Sequence, residues 1–182
     1  LPSLVFNAAL LLVVVQALEL TLLRGPLDRL TIQRPWLVGI VLGSVGIGLM
    51  MAPLALFPGV IFDVRSVLLV LSGLFFGALP TAIAMLMTAA YRMFLGGAGA
   101  LPGVAVIVAS GLIGLAWRHW RRPSLEALGW RELYLLGLLV HVVMLALMLL
   151  MPWQLALEVL AVISLPTLAI HPLLTVMLGL FL

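Results

Sequence analysis

Arg65 and Arg92 stand 27 positions apart with no charged residue between them, and Asp63 precedes the first of them by two. A guanidinium presents a planar fork of N–H donors that matches a carboxylate or phosphate in two places at once. Two such forks brought together would make an anion site. Tyr91 adds a hydroxyl beside Arg92, and Gly96 and Gly97 offer backbone N–H groups unobstructed by side chains, which suits a small bound anion. Each residue also has a plainer role. Asp63 is placed to cap a helix start, Arg65 to snorkel toward headgroups, and Arg92 to favour a helix C-terminus. Tyr91 reads equally as an interfacial aromatic, and the glycines as a flexible loop. The two arginines together say more than either alone, because two cations at one depth repel unless an anion or Asp63 lies between them.

The elements that must position these residues are set by composition. The chain has 182 residues, of which 65% are hydrophobic and 8% charged, and its mean hydropathy is +1.37. Soluble domains carry about 25% charged residues, so this is a polytopic membrane protein. Lipid offers no partners to backbone groups, and the apolar runs are of helical rather than strand length, so the expected class is all-α, a transmembrane helix bundle. The length allows six to seven helices including a short central hairpin, in a single transmembrane domain over residues 1–182. Leu1 is not a start methionine and the last apolar run is unfinished at Leu182, so a cytoplasmic output domain is expected outside these residues. The absence of Cys excludes disulfides and thiolate chemistry, and all nine basic residues are Arg. They sit mostly in short loops, which reads as membrane topology rather than nucleic-acid affinity.

In order, a first span is expected from about Leu4 to Leu23, carrying Asn7, Gln16 and Glu19, with Glu19 paired to a loop arginine such as Arg24. An Arg-rich loop holding Arg24, Arg29 and Arg34 follows, cytoplasmic by the positive-inside rule. The second span, Trp36 to about Leu56, has glycines at 39, 43, 46 and 48 that let helices approach closely, and Pro53 and Pro58 break it up at its far side. The run from Val64 to Phe94 has 31 residues, about 46 Å as one helix against a core of about 30 Å. Gly73, Gly77 and Pro80 are breakers near its middle. A fifth apolar run, about Leu101 to Trp117, leads into a second basic loop with Arg118, Arg121, Arg122 and Arg131. Only a hairpin in the middle run puts both basic loops on one face, so a hairpin is expected, with Asp63, Arg65, Arg92 and the glycine loop on the extracytoplasmic side. A sixth span, about Glu132 to Met151, carries His141 near mid-depth; the last, from about Leu155, carries Glu158 at its start, Pro166, His171 and Pro172.

His119, His141 and His171 lack metal-ligand spacing and read as hydrogen-bonding or interfacial residues. No nucleophile elbow, P-loop, zincin motif or carboxylate pair is present, so neither catalysis nor a cofactor is expected of this segment.

The segments PGVIFDVR, LSGLFFGALPTAIA, YRMFLGG and LPTLAIHPLLTVMLGL resemble the five-transmembrane receptor domain of the LYT type, over about Trp36 to the end. That family supplies the membrane input module of LytS-like histidine kinases and related diguanylate cyclases. The matching positions are Asp63, Arg65, Tyr91, Arg92, Gly96 and Gly97. The resemblance implies a sensor in the bacterial inner membrane, a homodimer, with the last helix feeding the output domain. Some family members respond to pyruvate, so small carboxylates are the implied ligand class. One departure is His171-Pro172, where the family often has Asn-Pro. The expectation is therefore a receptor that binds a small anion, such as a monocarboxylate, from the periplasm. The alternative is a small substrate-binding subunit of a membrane transporter.

Overall fold

The computed structural model describes residues 34–51, 54–57, 60–121 and 128–182; the expected first span, and Glu19 with its loop arginine, lie outside them. Helix α1 is Pro35–Met51. A two-stranded antiparallel pair follows, β1 Leu54–Phe57 and β2 Val60–Phe62, with Leu54 opposite Phe62. Next come α2, Arg65–Leu71, continued by a π-helical turn over Ser72–Phe76, then α3, Ala78–Leu95, and α4, Ala100–Arg121. Helix α5, Trp130–Leu147, is extended by one 3-10 turn, Met148–Leu150. Helix α6 is Trp153–Phe181. The class is all-α, as expected. The strand pair is the departure, since β1 takes Leu54–Leu56 from the expected second span. Pro53 cannot donate to a helix ladder, and Val60 and Ile61 favour extended backbone.

The central run folds back on itself, and its arms are unequal. The first arm is 7 helical residues plus a 5-residue π turn, about 18 Å and too short to cross a bilayer alone; the second is 18 residues, about 27 Å. The break falls at Gly77, whose φ of 86° is in the left-handed region open to glycine. Pro80 lies in the first turn of α3, where its missing N–H costs nothing. Thr81 ties the two arms. Its hydroxyl donates to Gly77 O at 2.7 Å, so Ser72 donates to Thr81 at 2.9 Å.

Helix α2 is the centre of the bundle. Every residue from Asp63 to Leu74 is buried. The apolar side chains of α2 are buried on every side, together with Arg65 and Ser66, so the helix packs against protein rather than lipid. Glycines let it in: a Cβ at Gly73 would stand 2.7 Å from Leu115 N and 2.8 Å from Gly111 O, and one at Gly114 would strike Val70 O. The backbones of α2 and α4 are thus in direct contact. A second apolar cluster, including Met144, Met148, Val159 and Ile163, joins α5 to α6.

Helix α1 packs along α3 in parallel, with Gly39 against Pro80 and Ile83, and Gly46 against Thr88. The return between two parallel helices is made by β2 and α2 together. Arg34, Gly77, Arg118, Arg121 and Arg131 consequently gather at one end of the bundle, and Met50, Arg92 and Gly96 lie toward the other. At the Arg-rich end, Glu132 accepts from Trp117 Nε1 at 3.2 Å and pairs with Arg121 at 2.6 Å. Arg118 donates to Leu74 O and Phe75 O at 2.8 and 2.7 Å, capping the last turn of the α2 arm.

Helices α3 to α6 are long and apolar enough to cross a membrane, and α1, at 17 residues, lies alongside α3. Exposed Leu86, Phe94 and Leu165 give the outer surface an apolar face, so this is a multi-pass membrane protein. Helix α6 has 29 residues and runs unbroken through Pro166 and Pro172. At about 43 Å it exceeds the hydrocarbon core. Glu158 is exposed in the second turn of α6, past the expected helix start.

Candidate functional site

The Asp-x-Arg spacing closes on itself. Oδ1 of Asp63 accepts the backbone N–H of Arg65, the first residue of α2, at 2.9 Å, and lies 3.3 Å from Arg65 Nε. One carboxylate oxygen therefore both satisfies an orphan helix donor and holds the side chain of the same residue. The Asp63 side chain is fully buried and that of Arg65 is 6% exposed. Arg65 Nη1 donates to the thioether sulfur of Met50, in the last turn of α1. A thioether is a weak acceptor. The fork of a buried guanidinium is thus met on one side by a carboxylate and on another by a poor ligand.

Arg92, in the last turn of α3, is 1% exposed. Its Nη1 donates to Gly96 O at 2.8 Å. The arginine stem lies on Gly103 of α4, where a Cβ would come within 2.7 Å of Nε. Arg65 and Asp63 both lie within electrostatic range of Arg92. Asp63 and Arg65 are thus joined directly, and Arg92 is a buried cation within electrostatic range of both.

Gly96 and Gly97 have φ of 65° and 84° and end α3. Gly96 uses its N–H on Met93 O at 3.1 Å and its carbonyl on Arg92. Its observed part is to orient Arg92. Gly97 accepts from Ala100 N at 3.0 Å, starting α4. Tyr91 is not brought into the group: a neighbouring residue on a helix points about 100° away, and its ring stacks on exposed Phe94, with centroids 6.3 Å apart.

A second buried polar group adjoins the first. Nδ1 of His141 donates to Gly137 O at 2.6 Å, and its Nε2 lies 3.0 Å from Ser66 Oγ, one residue past Arg65. His171 donates from Nδ1 to Thr167 O at 3.3 Å, and the two imidazole centroids are 4.7 Å apart. Asp63 acts electrostatically on His171. The plain hydrogen-bonding role expected for both histidines is the one seen. Their meeting with each other, and that of His141 with Ser66, was not foreseen, although an ionisable residue inside a membrane span is itself a pointer to function. Met50 carried no signal at all. Among the described residues no group of three His, Cys, Asp or Glu side chains is placed to hold a metal.

The family model described as the 5TMR of 5TMR-LYT matches residues 21–182. No curated protein and no solved structure matches the chain. Among the described residues, α3 to α6 are the helices long and apolar enough to cross a membrane, and α2 is buried in their midst. The chain belongs to the family of five-transmembrane receptor domains of the LYT type, which are membrane-embedded sensory modules.

Proposed function

We propose that this domain is the input module of a bacterial signalling protein and that it binds a small anion, in the first place a monocarboxylate, between Arg65 and Arg92. The observation that carries the reading is the buried pair of guanidiniums within electrostatic range of each other, one of them donating to a thioether. Cations are costly inside a bilayer and are seldom kept there without use. A carboxylate oxygen is a far better acceptor than the Met50 sulfur and would replace it on Arg65. The Arg-rich end is the cytoplasmic one by the positive-inside rule, so the ligand enters from the periplasmic face of the inner membrane. Tyr91, stacked outward, has no direct part; Gly96 serves by holding Arg92, and Gly97 by starting α4.

Signal transfer requires that the ligand prefer one packing of the bundle over another. Helix α2 is suited to carry that preference, because Arg65 begins it and Ser66 joins it to His141 of α5, which touches His171 of α6. Helix α6 then leads to a histidine kinase or diguanylate cyclase module, working as a homodimer. The test is equilibrium binding of lactate, pyruvate and propionate to the chain in lipid nanodiscs. Saturable binding that weakens about tenfold or more in Arg92→Gln supports the reading. Binding that is equal in parent and variant refutes it.

A further inference from the structure

Among the described residues, the Arg-rich end of the bundle carries Arg34, Arg118, Arg121 and Arg131 against one carboxylate, Glu132. Glu132 is committed: it accepts from Trp117 Nε1 at 3.2 Å and holds Arg121 through both oxygens, each at 2.6 Å. Arg118 is turned onto the carbonyls of Leu74 and Phe75. Arg131 pairs with no carboxylate among the described residues and sits over the ring of Trp130 instead, 5.3 Å from its centroid. Trp130 and Trp120 are 57% and 71% exposed, and Arg131 is exposed with them. The two rings flank the bridge between Arg121 and Glu132, Trp120 through its edge contact with Trp117, centroids 5.5 Å apart. We infer that this junction of α4 and α5 is a docking surface for an anionic phospholipid, its phosphate on Arg131 and its upper acyl carbons on Trp130 and Trp120.

The chemistry of the three side chains selects that partner. A guanidinium lying over a ring keeps its N–H edge open, and that edge matches a phosphate in two places. Indole rings settle at headgroup depth, with the apolar body in lipid. A zwitterionic headgroup brings its own ammonium to an end that already has an excess of positive charge, whereas an anionic one brings the phosphate alone. Arg118 and Arg121 share the last turn of α4, so a headgroup that steadies this junction also steadies the cap on the α2 arm. Arg65 and Arg92 lie away from this end, and the inference does not depend on them.

The experiment titrates the full chain in neutral detergent with phosphatidylglycerol, with phosphatidylcholine of the same acyl chains, and with glycerol phosphate. Bound lipid is read by native mass spectrometry and stability by the melting temperature. Phosphatidylglycerol is expected to bind about fivefold or more tightly than phosphatidylcholine and to raise the melting temperature. Arg131→Gln is expected to abolish that preference and Trp130→Leu to lessen it; both side chains are exposed, so neither change touches the core. Arg34→Gln removes an equal charge just ahead of α1 rather than at the junction, and is expected to leave the preference as it is. Equal binding of the two lipids by the parent, or a preference that survives Arg131→Gln, overturns the inference. If Arg34→Gln weakens phosphatidylglycerol as much as Arg131→Gln does, the attraction is diffuse charge and the docking surface is refuted. If glycerol phosphate raises the melting temperature as far as the lipid does, the surface takes a free phosphate and the lipid inference is overturned.

Discussion

Ser66 and His141, 75 positions apart in sequence, meet at 3.0 Å in the centre of the bundle. Both are buried, and the Nδ1 proton of His141 is already committed to Gly137 O. Ser66→Ala therefore leaves Nε2 of the imidazole buried without its partner. The loss is expected to lower unfolding free energy by about 1–3 kcal/mol, read as a lower melting temperature in nanodiscs. A variant as stable as the parent would show that the contact carries no weight.

The approach of α2 to α4 makes a sharper demand. A methyl at Gly114 meets the Val70 carbonyl oxygen, a backbone atom that cannot rotate away, whereas one at Gly48 meets nothing within 4 Å. Gly114→Ala is expected to cost about 2 kcal/mol or more through overpacking. Gly48→Ala is expected to be neutral or to stabilise by up to about 1 kcal/mol, because alanine is the better helix former. Thermal unfolding of the two variants side by side checks the placement of the central arm.

Arg118 holds the other end of that arm through the carbonyls of Leu74 and Phe75. With Arg118→Gln the π turn loses its cap and opens more readily. Amide exchange of Gly77, whose N–H bonds to Ser72 O at 3.2 Å, is expected to speed up by about tenfold, the equivalent of about 1.4 kcal/mol. Unchanged exchange would mean that packing on α4 alone fixes the turn.

Much of this was legible in the sequence because it is local. The Asp63-x-Arg65 contact spans two residues, Gly73, Gly77 and Pro80 mark where the long run can break, and the two Arg-rich loops on either side require that it turn back. What escaped is long-range. Spacing does not say that residues 66, 141 and 171 share a depth, since the apolar pattern of a buried helix has no preferred face. For the same reason the first arm read as a span, although it is a short core helix surrounded by the others. The strand pair after α1 was hidden because residues such as Leu54 and Val60 suit an apolar helix end as well as a strand.

Arg65 and Arg92, as proposed, hold one ligand between them. The direct measurement is lactate affinity, in nanodiscs, of Arg65→Lys, Arg92→Lys and the double variant, each first shown to be folded by its melting transition. Lysine keeps the charge and loses the planar fork. Each single change is expected to weaken binding about tenfold or more, with the two effects falling short of additive in the double variant because both act on the same ligand. Parent affinity in either folded single variant would contradict the account.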